Sequence, residues 1–253
     1  MIVHNAGSPK VKLFSFYDGS FEKLKDRFVE TIKDDYEVNI NYNKTFSNKT
    51  WCGGIEVWLY KTQYVIDCIK NNMGDVIVVA DIDMQFFKSS SHLVLKCMES
   101  FDLAFQRNPR PWNVAQPICI GFMGIRCSHN TSNFFEKVLQ EIKSTGCHDQ
   151  QIIVELLGAN KRSQPQCEFA IKWNYFPKSF WAYSSDEKWN LTRPINIVLH
   201  HATGAKDEAT KLIQMDEMAE KMKHPVRSKI ADTILIFTRV LKRKLKKLLL
   251  RGC

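Results

Sequence analysis

Asp81 and Asp83 stand two residues apart directly after Val76-Ile77-Val78-Val79-Ala80, an unbroken and mostly β-branched apolar run. Such a run reads as a strand buried on both faces, as in parallel sheets flanked by helices. Charged side chains that close a buried strand need a partner or a cation. Two carboxylates at i and i+2 of an extended chain can face the same way and share a hard divalent ion, manganese or magnesium, with the oxygens of a diphosphate. Asp-x-Asp also occurs by chance as a helix cap or a solvated turn. Its place at the end of the strand gives the pair its weight, because ligands of open α/β sheets bind beyond the carboxyl ends of strands.

A second apolar run, Ile195 to Leu199, delivers His200-His201-Ala202-Thr203-Gly204-Ala205-Lys206. An imidazole can complete a metal site begun by carboxylates, Gly204 lets the backbone approach a phosphate, and Lys206 brings a positive charge to it. A histidine pair alone is more often structural, so its conjunction with Gly204 and Lys206 is what points to a site.

The elements that must position these residues follow an alternation of strands and helices. Lys12–Tyr17 reads as a strand ended by Asp18-Gly19, and Ser20–Asp34 as a helix. Tyr36–Tyr42 reads as a strand, Asn43–Gly54 as a loop, and Ile55–Asn72 as a helix. After the Val76–Ala80 strand come a helix at Ser90–Ser100, strands at Phe101–Gln106 and Ile118–Ile125, and helices at Asn133–Ser144 and Asp149–Leu157. Cys167–Tyr175 and Ile195–His200 read as late strands. The pattern predicts an α/β fold.

The formal charge of +9 raises the question of a nucleic-acid partner. Residues 223–253 hold ten Lys or Arg against one acid, Asp232, which leaves the first 222 residues with 26 of each sign. The neutral body argues against a nucleic-acid footprint. From Ile230 onward, Ile234, Phe237, Leu241, Leu245 and Leu248 recur at helical spacing among lysines and arginines, which predicts a basic amphipathic helix able to lie on an anionic membrane. The organisation expected is a catalytic domain over 1–222 and a helical tail over 223–253. No apolar run approaches the roughly 18 residues of a membrane span, and Met1–Lys12 lacks a secretory pattern. The reading is cytoplasmic, with peripheral attachment through the tail. The eight scattered cysteines have no metal spacing and read as reduced thiols.

Four segments, the strand-terminal ADID, CIGFMGIR, HDQQIIVELL and LHHATGAK, occur in the order seen in nucleotide-diphospho-sugar transferases of the GT-A fold. The chain resembles that family over roughly residues 10 to 215, with glycogenin-like enzymes and plant-type xylosyl and galactosyl transferases the most similar. The resemblance implies a Rossmann-like, mostly parallel sheet and transfer of a sugar from a nucleotide-sugar, UDP favoured. The acceptor would be a hydroxyl of a glycan, glycoprotein or lipid-linked molecule. It implies that Asp81, Asp83 and His201 hold manganese or magnesium, with His200 the fallback, and that Lys206 meets the diphosphate. Phe16, Tyr17 and Asp18 would receive the base or ribose, Ile82 would lie against the donor with Asp81, Lys61 and Gly204 near its phosphates, and Gly121 along the sugar. Cys119 stands where the family usually has Asn. Asp149-Gln150 matches the pair that faces the transferred sugar and the acceptor, with retention of configuration preferred; as residues alone, Asp149 could equally cap the helix that follows. Trp112 is a candidate acceptor contact. The rival readings are a nucleotidyltransferase acting on a sugar phosphate, for which the Gly-rich phosphate loop is missing, and a non-catalytic module using the basic tail on membrane or nucleic acid.

Overall fold

Alternation along β3 (Val76–Ala80) divides its side chains between two cores. Ile77 and Val79 pack with residues of α2 (Ile55–Lys70), α4 (His129–Thr145) and α5 (Asp149–Leu156). Val78 and Ala80 pack with residues of α1 (Glu22–Thr31), α3 (Ser91–Met98) and α6 (Glu208–Lys223). A sheet covered by helices on both faces follows from that division, which is why β3 is apolar without interruption. These coordinates are a computed structural model, and they describe residues 10–34, 36–44, 54–108, 117–159, 170–182, 193–205 and 207–249, with side chains to 242.

The remaining strands are β1 (Lys12–Tyr17), β2 (Glu37–Tyr42), β4 (Met84–Phe86), β5 (Leu103–Arg107), β6 (Ile118–Arg126), β7 (Trp173–Tyr175), β8 (Phe180–Trp181) and β9 (Leu199–His201). The sheet order is β2-β1-β3-β6-β5-β8-β9-β4, with β7 also on β5. Only β6 and the edge strand β4 run against the others. The expected α/β architecture with a mostly parallel sheet is therefore present. The late strands are shorter than predicted. The run from Ile195 becomes a strand only at Leu199 and extends one residue further than expected, to His201. The part of the predicted Cys167–Tyr175 strand that is described pairs only from Trp173. β4, β8 and α6 had no counterpart in the sequence reading.

The five described cysteines, Cys68, Cys97, Cys119, Cys127 and Cys147, are free thiols. The last element is α7 (Pro225–Leu249), opened by a proline whose missing N–H costs nothing at a helix start. Its early turns are tied to the body by Arg193, whose fully buried guanidinium reaches Asp232 at 3.0 Å and Ser228 at 3.2 Å. Lys221 of α6 also pairs with Asp232, at 3.1 Å, and Ile236 is buried. Val226, Ile230, Ile234, Phe237 and Leu241 are 55–66% exposed, and at 100° per residue they lie on the side turned away from Ser228, Asp232 and Ile236. Among the described residues no helix is long and apolar enough to cross a membrane.

Candidate active site

Three strands bring the chemistry to one place. At the end of β3 the Asp81 N–H donates to the Gly121 carbonyl of β6 at 2.7 Å, so the chain is still held by the sheet where the first acid projects. The turn through Asp83 then enters β4, which pairs antiparallel with β9 so that Met84 lies opposite His201. The Ala202 N–H donates to the Asp83 carbonyl at 3.0 Å and closes that pairing. Side chains alternate along β9, so His201 faces the acids while His200 points to the other side of the sheet. The ligand atoms of Asp81, Asp83 and His201 all lie within 4.8 Å of one another.

Each acid is met by a buried base. Lys61, from α2, donates to Asp81 at 2.5 Å and to the Ile120 carbonyl at 3.4 Å. Burial works against its charge, but Asp81 and then Asp149 raise its pKa above the ordinary lysine value. Lys211, from α6, donates to Asp83 Oδ2 and, at 3.2 Å, to the Ala202 carbonyl. His201 Nε2 lies 3.0 Å from Asp83 Oδ1 and 3.7 Å from Asp81 Oδ2. The approach to Oδ1 lacks the alignment of a hydrogen bond, so that buried oxygen has no hydrogen-bond partner among the described residues. Burial alone would push the Asp83 carboxyl up; the charges of His201 and Lys211 outweigh it and hold it below the carboxylate range. Burial would likewise keep His201 neutral, yet Asp83, with Cys119, raises it to about 10. His200, buried beside that charge, is pushed down to about 3, and neither of its ring nitrogens has a partner.

A cleft of roughly 270 Å³ opens over these groups, lined among others by Lys61, Cys119, Gly121, Asp149, Gln150 and Gly204. Gly121 is there for a steric reason. A Cβ on it would come 2.1 Å from His201 Cε1, so only glycine lets the imidazole lie on β6. Cys119 Sγ sits 3.5 Å from His201 Nδ1, on the side of the ring away from the acids. Gly204 has φ +86°, the left-handed backbone that glycine adopts without strain. A second, much tighter recess of roughly 20 Å³ is lined by Tyr17, Asp18 and Ile82 and shares Phe16, Asp81, Asp83 and Lys211 with the first. Phe16 is fixed by edge contacts to Tyr60 and Tyr64 at 5.0 and 5.6 Å. Asp18 accepts from the Ser20 N–H at 2.8 Å through Oδ1, while its Oδ2 is buried without a partner among the described residues.

At the far wall the helix cap is His148, whose Nδ1 accepts from the Gln150 N–H at 3.1 Å. The same Gln150 N–H donates to Asp149 Oδ1 at 2.7 Å, so the carboxylate shares the capping bond although His148 is the cap residue. Asp149 is the first residue of α5, is 2% exposed, and lies 2.8 Å from His148 Nδ1. Gln150 Oε1 accepts from the Ile120 N–H at 3.3 Å. Lys206 and Trp112 lie outside the described residues. Lys211 is the residue that sequence reasoning missed. Asp207, which caps α6 by accepting from the Thr210 N–H, followed by Leu212, Met215, Met218 and Met222 at helical spacing, was the signal for its helix. Nothing local signalled its ammonium's partner.

A family model for nucleotide-diphospho-sugar transferases matches residues 18–215. No curated protein sequence matches significantly. Among solved structures, a glycosyltransferase involved in glycosylating the major capsid of PBCV-1 superposes with a TM-score of 0.58 at 8% identity, over 82% of this chain and 100% of that one. The glycosyltransferase GlyE of Streptococcus pneumoniae TIGR4 gives 0.55 at 9% identity, over 85% of this chain and 64% of its own length. The galactosyltransferase LgtC, with donor and acceptor sugar analogues bound, gives 0.52 at 11%, over 81% and 96%. At these identities the likeness is one of fold.

Proposed function

The chain belongs to the nucleotide-diphospho-sugar transferase family, and from that premise we propose that its cleft moves a sugar from a UDP-sugar to a hydroxyl of a glycan, glycoprotein or lipid-linked acceptor. The observation that supports this is the meeting of Asp81 and Asp83, after one strand, with His201 of another, a buried oxygen of Asp83 having no aligned hydrogen-bond donor among the described residues. Two carboxylates and one imidazole suit manganese or magnesium and leave coordination positions for phosphate and water. When bound, such an ion supplies Lewis-acid stabilisation of the departing diphosphate.

The chain's own residues would do the rest. Phe16, Tyr17 and Ile82 wall a recess for the nucleoside, and Asp18 Oδ2 accepts a hydroxyl or a base N–H there. Lys61 holds Asp81 in place through its ion pair. The backbone at Gly204 and the charge of Lys206 receive the diphosphate. Asp149 and Gln150 line the same cleft as the acids, together with Gly121 and Cys119. Asp149 would position the transferred sugar, with retention of configuration, and Gln150 would bind it. The exposed apolar stripe of α7 and the lysines around it support a peripheral seat on an anionic membrane in the cytoplasm, within reach of lipid-linked acceptors.

The test is a screen of UDP- and GDP-sugars for hydrolysis, the slow side reaction of such enzymes, with manganese and with EDTA. Release of UDP from one UDP-sugar, abolished by EDTA, is expected. No release from any sugar nucleotide in manganese would reject the reading.

A further inference from the structure

Lys211 is the buried charge that the proposed transfer leaves without a task. It reaches Asp83 from α6, a helix outside the strand ends that build the metal group, and it lines both the nucleoside recess and the larger cleft. It is 4% exposed, so its charge is not dispersed by water. With Lys61 on Asp81 and Lys211 and His201 on Asp83, the two acids already face two ammonium groups and an imidazole. A divalent ion entering here adds two positive charges to a buried cleft, of which Asp149 on the far wall offsets at most one.

Resting on the transferase reading, we infer that Lys211 is the resident counter-cation of the metal site: it competes with a divalent ion for Asp83 and makes metal binding depend on the arrival of the anionic diphosphate. If the ion takes Oδ2, Lys211 must leave it. If the ion takes Oδ1, two cations share one buried carboxylate and each weakens the other's hold. Either way the surplus charge is removed by a diphosphate, whose oxygens can accept from the Lys211 ammonium and bind the ion at once. A displaced ammonium stays beside Thr203, Gly204 and Ala205, which line the same cleft. Metal and nucleotide thereby become coupled ligands. Until then, Lys211 keeps Asp83 paired.

The experiment titrates manganese, followed by the electron paramagnetic resonance signal of the free ion, into the full chain alone and with UDP or GDP. For the wild type, the nucleoside diphosphate is expected to tighten manganese binding about tenfold or more. Lys211→Gln keeps a donor for Asp83 and the Ala202 carbonyl but loses the charge. It should bind manganese alone about tenfold more tightly than wild type, with the tightening by nucleotide reduced to match. Lys211→Arg, which keeps the charge, should behave as wild type. A structural role for Lys211 would loosen manganese binding, not tighten it. Manganese binding by folded Lys211→Gln no tighter than wild type overturns the inference. So does a wild-type manganese affinity indifferent to both nucleotides, which needs no variant to fold. If Lys211→Gln gains manganese affinity but no UDP- or GDP-sugar is hydrolysed, the counter-cation stands and the transferase reading falls.

Discussion

In the cleft, each strand-end acid is met by a base from another element: Asp81 by Lys61, Asp83 by Lys211 and His201. In α7 the single acid, Asp232, is shared between Arg193 and Lys221, and the tail over 223–253 carries ten lysines and arginines against it. The cleft is charge-dense, balanced and buried, whereas the tail is charge-dense, unbalanced and open to solvent. Removing one member of a balanced buried set exposes the cost of the others, while removing one of many solvated charges subtracts a small increment. The predictions below break or sharpen that contrast.

The largest effect belongs to Asp83. Asp83→Asn keeps the shape and a partner for Lys211 but loses the charge, and donor hydrolysis in manganese should fall about a hundredfold to a thousandfold. Alanine is the poorer choice, since it would strand the Lys211 ammonium. Equal turnover by Asp83→Asn and wild type would make the acid a structural counter-ion only.

Next comes the join between the two regions. A chain ending at Lys223 loses the Arg193–Asp232 pair and the burial of Ile236 and uncovers the Arg193 guanidinium, at a cost of about 3 kcal/mol. A melting temperature lower by about 6–12 °C is expected. A chain ending at Thr238 keeps the pair and should melt with the full chain. If both truncations melt alike, the tether does not stabilise the body.

The two histidines separate by face. His201→Ala should weaken manganese-dependent UDP binding about tenfold to a hundredfold in calorimetric titration, while His200→Ala leaves it within a few-fold. The reverse order would move the ligand by one residue.

The smallest steps lie in the tail. The full chain should float with anionic vesicles at low salt and detach at high salt, and Lys242→Gln should lower vesicle affinity only about fivefold, near 1 kcal/mol for one lysine. Flotation unaffected by salt, or absent, would leave the exposed stripe of α7 to a partner other than an anionic surface.

How far the sequence disclosed this arrangement depended on the range of each interaction. The β3 run and its Asp81-x-Asp83 ending are local, and the period-2 run before His201 is nearly so; both were readable, as were the α/β class and the helices α2, α4 and α5. Lys211 and Asp83 are 128 residues apart, and Arg193 and Asp232 are 39 apart. No spacing rule joins such pairs, so they had to be seen in the fold. β4 and β8 are three and two residues long, too short for alternation to register. Gly121 looked like a sugar-pocket glycine, yet its most immediate constraint is the ring of His201.

The register of β4 against β9, with Met84 opposite His201 and Gln85 opposite His200, also decides which insertions and deletions the site can survive. A one-residue loss just after β9, pulled tight from the α6 side, would draw His201 and Ala202 away from the acids and toward α6. Sliding one place in that direction would seat His200 beside the acids and still present an imidazole. A loss ahead of Leu199 that slid β9 the other way would put Ala202 opposite Met84 and leave the carboxylates without a third ligand. The doubled histidine thus makes the site tolerant of frame slippage in one direction and fragile in the other.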